Sequence, residues 1–259
     1  MPECVVVIPA RYASSRFPGK PLAMIAGRPM IQHVYERACQ ARLVDRVLVA
    51  TDDTRIQAAV EAFGGRAVLT STTHATGTDR VAEVVRQLAC DVVVNVQGDE
   101  PCIAPAAIDA IIRPLREDAT VPIATLAHPL HALADFLSPH VVKVVVDRQS
   151  NALYFSRAPM PYDRQAWPQV PHILLAGGAP LTLPPGCYRH FGLYAYRRDV
   201  LLHLAALPQT TLEQVEQLEQ LRALEHGYRL RVVLTTHESV GVDTPDDIAR
   251  VEHILAGHE

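Results

Sequence analysis

The first residues that could do chemistry lie in the loop RYASSRFPGK, which runs from Arg11 to Lys20 directly after the apolar run 5–8. This loop carries three cations, two serines, a glycine and a proline, and it contains no carboxylate. Arginine and lysine neutralise phosphate, and the backbone amides of a tight turn can surround phosphate oxygens. Neither a Walker A motif nor a Gly-x-Gly-x-x-Gly fingerprint is present. The loop therefore predicts an anion site of another kind, with a solvated turn as the alternative.

A second candidate is NVQGDEP, residues 95–101, which directly follows an apolar strand-like run. In open α/β sheets, ligands bind outside the carboxyl ends of the strands. Asp99 and Glu100 would be carboxylates at such an edge, a usual place for Mg²⁺ that is held together with substrate phosphates. Gln97 can both donate and accept hydrogen bonds. The alternative is a polar turn between a strand and a helix.

A third candidate is GVDTPDD, residues 241–247. Asp243 lies just ahead of a helix that Thr244 and Pro245 are expected to begin, so its carboxylate can point outward. The two later acids, residues 246 and 247, are better explained as first-turn residues that favour the helix dipole. A lone aspartate before a helix is usually structural, so this stretch alone indicates little.

Three further stretches offer polar groups, each with a simpler alternative. HATGTDR, residues 74–80, ends in Arg80 and could equally be a helix cap. YFSR ends in Arg157, an anion ligand or a surface charge. In HFGLYAY, the strand period of two places one set of residues on a face that suits a sugar, or that is simply half exposed. That set consists of His190, Gly192, Tyr194 and Tyr196.

The elements that must position these residues alternate between strand and helix in the first half of the chain. Short β-branched runs predict buried strands at 5–8, 47–50, 67–69 and 92–96. Helical spacing predicts helices over about 30–38, 53–63 and 78–88, the second capped by Asp52 and Asp53. This alternation predicts an α/β fold with a mostly parallel, Rossmann-like sheet and helices on both faces.

The second half is less regular and predicts a smaller mixed lobe at about 128–200 within one domain, 1–259. Residues 160–187 are rich in proline and glycine, carry Trp167, and indicate an excursion or loop. The other predicted elements are strands at 141–147, 152–155, 191–196 and 230–235, a helix from a Thr211–Gln214 capping box to about 226, and a last helix from Thr244.

Composition limits the classes of function. The net charge of −4 argues against nucleic-acid binding, for which a basic face is expected. We expect no signal peptide, since no basic region followed by an apolar core opens the chain. We also expect no membrane span, since no run of about 18 apolar residues occurs. Five scattered cysteines indicate free thiols in a reducing cytoplasm. The twelve histidines include no His-Glu-x-x-His, so a zinc hydrolase is not indicated.

Taken together, the motifs resemble one family nearly end to end, the 3-deoxy-manno-octulosonate (Kdo) cytidylyltransferases, also called CMP-Kdo synthetases. The first loop alone is shared by the wider sugar nucleotidyltransferase group. The combination of NVQGDEP with GVDTP is specific to a much narrower group of proteins. Two departures are Asp79, where the family has glutamate, and the segment 165–187, which does not align. The matching motifs are Arg11-x-x-Ser14-x-Arg16-x-Pro18-x-Lys20, Gly77-Thr78-Asp79-Arg80, Asn95 to Pro101, Tyr154-Phe-Ser-Arg157, His190-x-Gly-x-Tyr194, Leu218-Glu-Gln-Leu-Arg222 and Gly241-Val-Asp-Thr-Pro245.

The resemblance implies that CTP and Kdo react to give CMP-Kdo and pyrophosphate, for lipopolysaccharide assembly in a Gram-negative bacterium. It also implies a Mg²⁺-dependent homodimer in the cytoplasm, with dimerisation and sugar binding in the lobe. Arg11, Ser14, Arg16 and Lys20 would hold the triphosphate, and Arg11 and Lys20 would act in catalysis with the two Mg²⁺ ligands, Asp99 and Asp243. The implied sugar-acid pocket comprises Arg80, Gln97, Arg157, His190, Tyr194, Glu219 and Gln220.

Three alternatives stay open at this point. A cytidylyltransferase for another acidic sugar, such as 8-amino-Kdo or a sialic acid, would need only small changes in the pocket. A glycosyltransferase of similar fold would release no pyrophosphate, so the cationic first loop argues against it. A nonenzymatic nucleotide-binding module would need neither of the two separated metal carboxylates.

Overall fold

The computed structural model of the protein describes residues 3–13, 17–74, 76–165, 183, 185–237 and 240–257. The predictions for Ser14, Arg16 and Trp167 therefore lie outside the described residues. Within the described part, no helix has the length and apolar character needed to cross a bilayer. The chain divides into two compact units: a first unit of Met1–Ala124, Leu193–Leu207 and His237–Glu259, and a second unit of Thr125–Gly192 and Pro208–Thr236.

The first unit is built on a mostly parallel sheet. Its valine-rich strands are almost completely buried, which is why they appear as continuous apolar runs in the sequence. β1 pairs in parallel with β4 and β6, β4 pairs in parallel with β5, and the end of β10 runs antiparallel to β6. A small antiparallel pair, β2 and β3, precedes the first helix. These strands are β1 (Cys4–Ala10), β2 (Met24–Ile25), β3 (Arg28–Pro29), β4 (Arg46–Thr51), β5 (Ala67–Leu69), β6 (Val92–Asn95) and β10 (Tyr188–Arg197).

Helices pack around this sheet. Asp53 caps one of them by accepting a hydrogen bond from the backbone N–H of Arg55, as predicted. A reciprocal capping box of Thr76 and Asp79 begins the next helix, so the aspartate at position 79 serves as the N3 acceptor of that box. In the order of the chain, the helices of this unit are α1 (Met30–Cys39), α2 (Thr54–Ala62), α3 (Gly77–Arg86), α4 (Pro105–Glu117), α6 (Arg198–Ala206) and α9 (Asp247–Ala256).

The second unit is a smaller mixed structure. β8 and β9 form an antiparallel hairpin, the start of β10 pairs with β8, and β11 lies beside β7. Leu130, Phe136 and Cys187 form a small buried cluster. The elements of this unit are β7 (Ile123–Pro129, whose first two residues belong to the first unit), α5 (Leu133–Leu137), β8 (Lys143–Val146), β9 (Ala152–Ser156), α7 (Thr211–Glu216), α8 (Gln220–Glu225) and β11 (Leu230–Leu234).

The predicted fold class is confirmed as mixed α/β with a mostly parallel sheet and helices around it. Two predicted helices are wrong in detail. The helix expected over 211–226 is interrupted at Gln217, whose φ of 53° is left-handed, and its capping box uses Thr210 and Glu213. The last helix begins at Asp247 instead of Thr244. Four elements, α4, β7, α5 and α6, are present without having been expected from the sequence pattern.

Candidate active site

A cavity of about 390 Å³ opens in the first unit. It lies at the carboxyl ends of β1 and β6, where an α/β sheet is expected to bind its ligand. The first loop, the start of α3 and the segment after β6 all contribute to its walls. The lining residues are Pro9, Ala10, Arg11, Lys20, Pro21, Met30, His74, Thr76, Gly77, Arg80, Gln97, Gly98 and Asp99.

Glycine at position 98 allows the segment after β6 to lie directly against the end of β1. A Cβ atom at Gly98 would come within 2.9 Å of the Pro9 carbonyl oxygen, closer than real Cβ atoms approach backbone. Gly98 immediately precedes Asp99, so this close approach fixes where the Asp99 carboxylate enters the cavity.

Lys20 contacts both of the predicted metal-binding carboxylates. Its Nζ donates hydrogen bonds to Asp99 Oδ2 at 2.7 Å and to the Val242 carbonyl oxygen at 2.8 Å. The same Nζ lies 3.7 Å from Asp243 Oδ1. The structure therefore brings three of the predicted catalytic residues, from distant parts of the sequence, to one point.

The turn that carries Asp243 is held in three ways. The Val242 N–H donates to the Asp99 carbonyl at 2.9 Å, so the two carboxylate-bearing segments are joined backbone to backbone. Asp247 Oδ2 accepts from the backbone N–H groups of Asp243 and Thr244 at 2.9 and 2.8 Å. These bonds, those from Thr244 first, hold the pKa of the Asp247 carboxyl below its ordinary value. Val242 itself packs in an apolar cluster with Val251 of α9.

Asp99 and Asp243 are suitable ligands for Mg²⁺. Both present carboxylate oxygens beside the same cation, and Mg²⁺ typically takes one or two carboxylates and completes its shell with waters and substrate phosphates. In the described part of the chain, no group of three or more His, Cys, Asp or Glu side chains is arranged to hold a metal. The donor set fits a hard cation that a phosphate substrate helps to bind, and it does not resemble an all-protein metal cage.

Arg80 is buried in the cavity wall, with 3% of its surface exposed. Its guanidinium donates to Asp52 Oδ2 at 2.7 Å and to Thr70 Oγ1. His74 in the same wall pairs with Glu83 of α3. The predicted sugar residue Arg80 thus lines the same cavity as Arg11 and Lys20, and its charge already has an acidic partner, Asp52, which the sequence pattern indicates only as a helix cap.

Two further predicted residues lie just after β6 and on the neighbouring strand β10. Gln97 lines the cavity, and its amide is 3.4 Å from Asn95 Oδ1. Tyr194 of β10 lies opposite Asn95 in the antiparallel register. Its ring stacks on Tyr196, with a distance of 5.8 Å between the ring centroids.

Arg157 belongs to the second unit, where it follows β9. Its guanidinium donates to the carbonyl oxygens of Glu216 at 2.8 Å, Pro139 at 3.0 Å and Gln217 at 3.4 Å. The Glu216 carboxylate accepts from the Arg157 N–H at 3.0 Å and from the Ser156 hydroxyl. The end of β9 is therefore fastened to the end of α7, a contact that the sequence pattern gives no sign of.

Glu219 and Gln220 directly follow this contact, because the left-handed Gln217 ends α7 and α8 begins at Gln220. The buried ion pair between Glu213 and Arg222, 2.5 Å long, holds the two short helices together. The structure thus brings Arg157 and the Glu219–Gln220 turn into one region of the second unit.

His190 lies near the same end of β9. Its ring forms a 2.9 Å hydrogen bond with the Thr125 hydroxyl and packs edge-on against Phe155, with ring centroids 4.8 Å apart. Burial lowers the pKa of His190 to about 3. The imidazole is therefore neutral near pH 7 and offers a hydrogen bond, not a charge.

The chain can now be compared with known proteins. Residues 5–232 match the profile of a family described as Cytidylyltransferase. The chain is 58% identical to a Pelobacter propionicus protein and 57% identical to a Geobacter sulfurreducens protein, each named 3-deoxy-manno-octulosonate cytidylyltransferase. The first alignment covers 94% of both chains, and the second covers 95% of this chain and 96% of the relative.

Solved structures agree with this assignment. A CMP:2-keto-3-deoxy-manno-octonic acid synthetase complexed with CTP superposes with a TM-score of 0.88 and 44% identity, covering 99% of this chain and 100% of the other. A cytidylyltransferase from Leptospira borgpetersenii shares the fold at a TM-score of 0.65 and 12% identity, over 100% of this chain and 89% of its own. The chain is therefore a nucleotidyltransferase and belongs to the 3-deoxy-manno-octulosonate cytidylyltransferase family.

Proposed function

We propose that the protein transfers CMP from CTP to Kdo and so forms CMP-Kdo and pyrophosphate. The observation that carries this proposal is the meeting of Asp99, Asp243 and Lys20 at one edge of a cavity whose wall holds two arginines. A triphosphate needs the cations, a metal ion needs the carboxylates, and this edge of the cavity offers both. Relatives named for the Kdo reaction, aligned over nearly their whole length, support Kdo as the sugar.

In the proposed reaction, the anomeric hydroxyl of Kdo loses its proton to solvent water and its oxygen attacks the α-phosphorus of CTP. The bond from that phosphorus to the pyrophosphate oxygen breaks, and pyrophosphate leaves with additional negative charge. Arg11 and Lys20 lie where they can hold triphosphate oxygens and stabilise that charge. Ser14 and Arg16 are assigned the same role on the resemblance alone.

Asp99 and Asp243 are proposed to hold Mg²⁺. A metal held by these two carboxylates would neutralise charge on the α-phosphate and would lower the pKa of the attacking hydroxyl. The two carboxylates are 37% and 60% exposed, so substrate phosphate and water can reach the same ion. No histidine base is needed for this reaction.

The sugar ligands are proposed to include Arg157, His190, Glu219 and Gln220 of the second unit. Arginine is the natural partner for the Kdo carboxylate, because its planar fork matches two carboxylate oxygens. The neutral imidazole of His190 suits a sugar hydroxyl. Arg80, Gln97 and Tyr194 of the first unit stay predicted sugar ligands.

We further propose a cytoplasmic homodimer that supplies lipopolysaccharide synthesis. The five cysteines are free, which suits a reducing compartment. The second unit exposes several large apolar side chains, as a surface that a second copy covers would do. These are Leu153, Tyr162, Leu212, Val215 and Leu234.

The test is pyrophosphate release from each of the four nucleoside triphosphates, combined with Kdo, 8-amino-Kdo and a sialic acid. We expect release with CTP and Kdo only, and only with Mg²⁺ present. Preferred release with another acidic sugar would replace Kdo but keep the reaction type. No release with any pair would overturn the proposal.

A further inference from the structure

Lys143 is a buried cation that the proposed chemistry does not use. It lies at the start of β8 and is completely shielded from solvent. Its Nζ donates to the carbonyl oxygens of Ser138 at 2.7 Å, Val141 at 2.5 Å and Arg157 at 2.6 Å. An ammonium has three N–H groups, so these bonds use them all and leave none for a substrate.

Burying Lys143 in this way would be an unfavourable means of stabilising the fold. Burial, followed by the charge of Arg157, lowers the pKa of Lys143, with the charge of Glu216 acting in the opposite direction. Burying an ammonium carries a desolvation penalty that an apolar side chain of similar size would avoid. The bonded partners are backbone carbonyls and not a carboxylate. A role for Lys143 is therefore sought in the backbone segments that carry the three carbonyl groups.

Two of the carbonyls belong to the segment 138–141, and the third belongs to Arg157 itself. The Arg157 side chain reaches back to the same segment through its bond to the Pro139 carbonyl. Lys143 thus fixes the backbone of Arg157 from one side, while the Glu216 carboxylate holds the Arg157 N–H from the other. Both backbone polar groups of Arg157 are held by buried or half-buried side chains.

We propose that Lys143 is a positioning residue that holds Arg157 in place for the carboxylate of the sugar substrate. This inference rests on the proposed function, in which Arg157 binds that carboxylate. A guanidinium has five N–H groups, and three of those of Arg157 bond to carbonyls. Fixing the backbone as well as these three bonds sets the direction of the remaining donors before the sugar arrives. Such preorganisation strengthens binding by lowering the cost of ordering.

The test is a pair of saturation curves for Lys143→Met, with CTP and Kdo varied one at a time. We expect the KM for Kdo to rise by about tenfold or more, because small misplacements of a binding group have effects of this size, and the KM for CTP to change less than about twofold. The matched control is Asn151→Ala, which removes bonds at the opposite, turn end of the β8–β9 hairpin. We expect this control to lower thermal stability without changing the ratio of the two KM values.

A double-mutant cycle with Arg157→Ala separates positioning from a general loss of structure. If Lys143 acts through Arg157, Lys143→Met should have almost no further effect on Kdo use in the Arg157→Ala background. Additive effects, or equal rises in both KM values, would overturn the inference. If Arg157→Ala alone leaves the Kdo curve unchanged, the assignment of Arg157 within the proposed function fails first.

Should Lys143→Met not fold, Lys143→Gln provides the same test, since it keeps two N–H donors in a side chain of similar reach. The expected rise in the KM for Kdo is then smaller, about threefold, with the same selectivity over CTP. A folded Lys143→Gln enzyme with wild-type Kdo kinetics would also overturn the inference.

Discussion

Lys20 combines two roles that are usually separate. Its ammonium holds Asp99, Asp243 and the intervening backbone carbonyl of Val242 at one place, and it lines the cavity where the triphosphate is proposed to bind. Two carboxylates beside each other repel, so a cation between them stabilises the arrangement before substrate arrives. Under the proposed function, the two carboxylates would hold Mg²⁺ and the Lys20 ammonium would then be available to phosphate oxygens.

At the residue scale, the first prediction concerns those carboxylates. Asp99→Asn and Asp243→Asn should each lower kcat by roughly a hundredfold or more, because each removes a charge that is proposed to bind the Mg²⁺ ion, and such an ion stabilises the transition state. The measurement is pyrophosphate release as Mg²⁺ is varied, with thermal unfolding to show that the fold survives. Asp246→Asn, at an exposed neighbouring position, is the control and should change little. Normal turnover of either site variant at saturating Mg²⁺ would remove that residue from the metal site.

A second residue-scale prediction follows from His190. Its pKa is lowered to about 3 from an ordinary 6.5, so the unfolded chain binds a proton that the folded chain excludes. The stability linked to His190 is therefore complete above about pH 6.5 and is lost as the pH falls below that value. Melting temperatures at about pH 7.5 and pH 5 should show a smaller acid loss for His190→Gln than for wild type. Equal losses would mean that His190 is not held neutral.

At the element scale, local patterns predict what local forces determine. The buried strands 5–8 and 92–96 and the Asp53 cap follow from side chains close in the sequence, and they are found as predicted. The predicted helix over 211–226 is wrong because nothing local shows that Gln217 adopts a left-handed conformation. Its stabilising contacts, through Glu216 to Arg157, join residues about sixty positions apart.

Local sequence patterns also predict only part of the candidate site. By resemblance, residue types and order suffice to predict Asp99 and Asp243 as a metal pair and Lys20 as a triphosphate ligand of the same active site, and the structure places all three side by side. The supporting residues leave no such signal. Asp247 looks like an ordinary first-turn acid, yet its carboxylate orders the backbone of Asp243. Lys143 is a lone cation within the predicted strand 141–147, and nothing in the pattern shows that it is buried. The role of Asp247 depends on how the turn before α9 folds, and that of Lys143 depends on its burial and its bond to Arg157, and residue type shows neither.

The loop after β6 gives a prediction at this scale. Gly98→Ala places a Cβ atom 2.9 Å from the Pro9 carbonyl, so the loop must shift and carry Asp99 with it. We expect kcat to fall by about tenfold or more, since a displacement near 1 Å can have that effect, while the melting temperature falls only modestly. Gly257→Ala, where the nearest atom would lie at an ordinary 3.7 Å, is the control. Unchanged kcat for Gly98→Ala would show that the loop adapts without moving Asp99.

At the scale of the whole molecule, the two units differ in what they offer. The first contains the cavity, the carboxylates and the cations proposed for CTP and Mg²⁺. The second contains Arg157, His190 and the Glu219–Gln220 turn, together with most of the exposed large apolar side chains. Covering water-exposed leucine and valine side chains with another surface lowers the free energy of the system. Self-association is therefore expected at this unit.

The last prediction tests that association. Val215 on α7 is 76% exposed, so a charged residue there should be tolerated by the folded chain but not within an apolar interface. We expect light scattering to give twice the chain mass for the wild type, and Val215→Glu to shift the equilibrium toward a single chain by at least tenfold in dissociation constant, because burying an unpaired carboxylate is costly. Met24→Glu makes the same charge change at a 56% exposed position of the first unit, and it should leave the dimer intact. A wild-type protein that is monomeric at micromolar concentration would contradict the proposed homodimer. A dimer that Met24→Glu weakens and Val215→Glu does not would place its interface on the first unit.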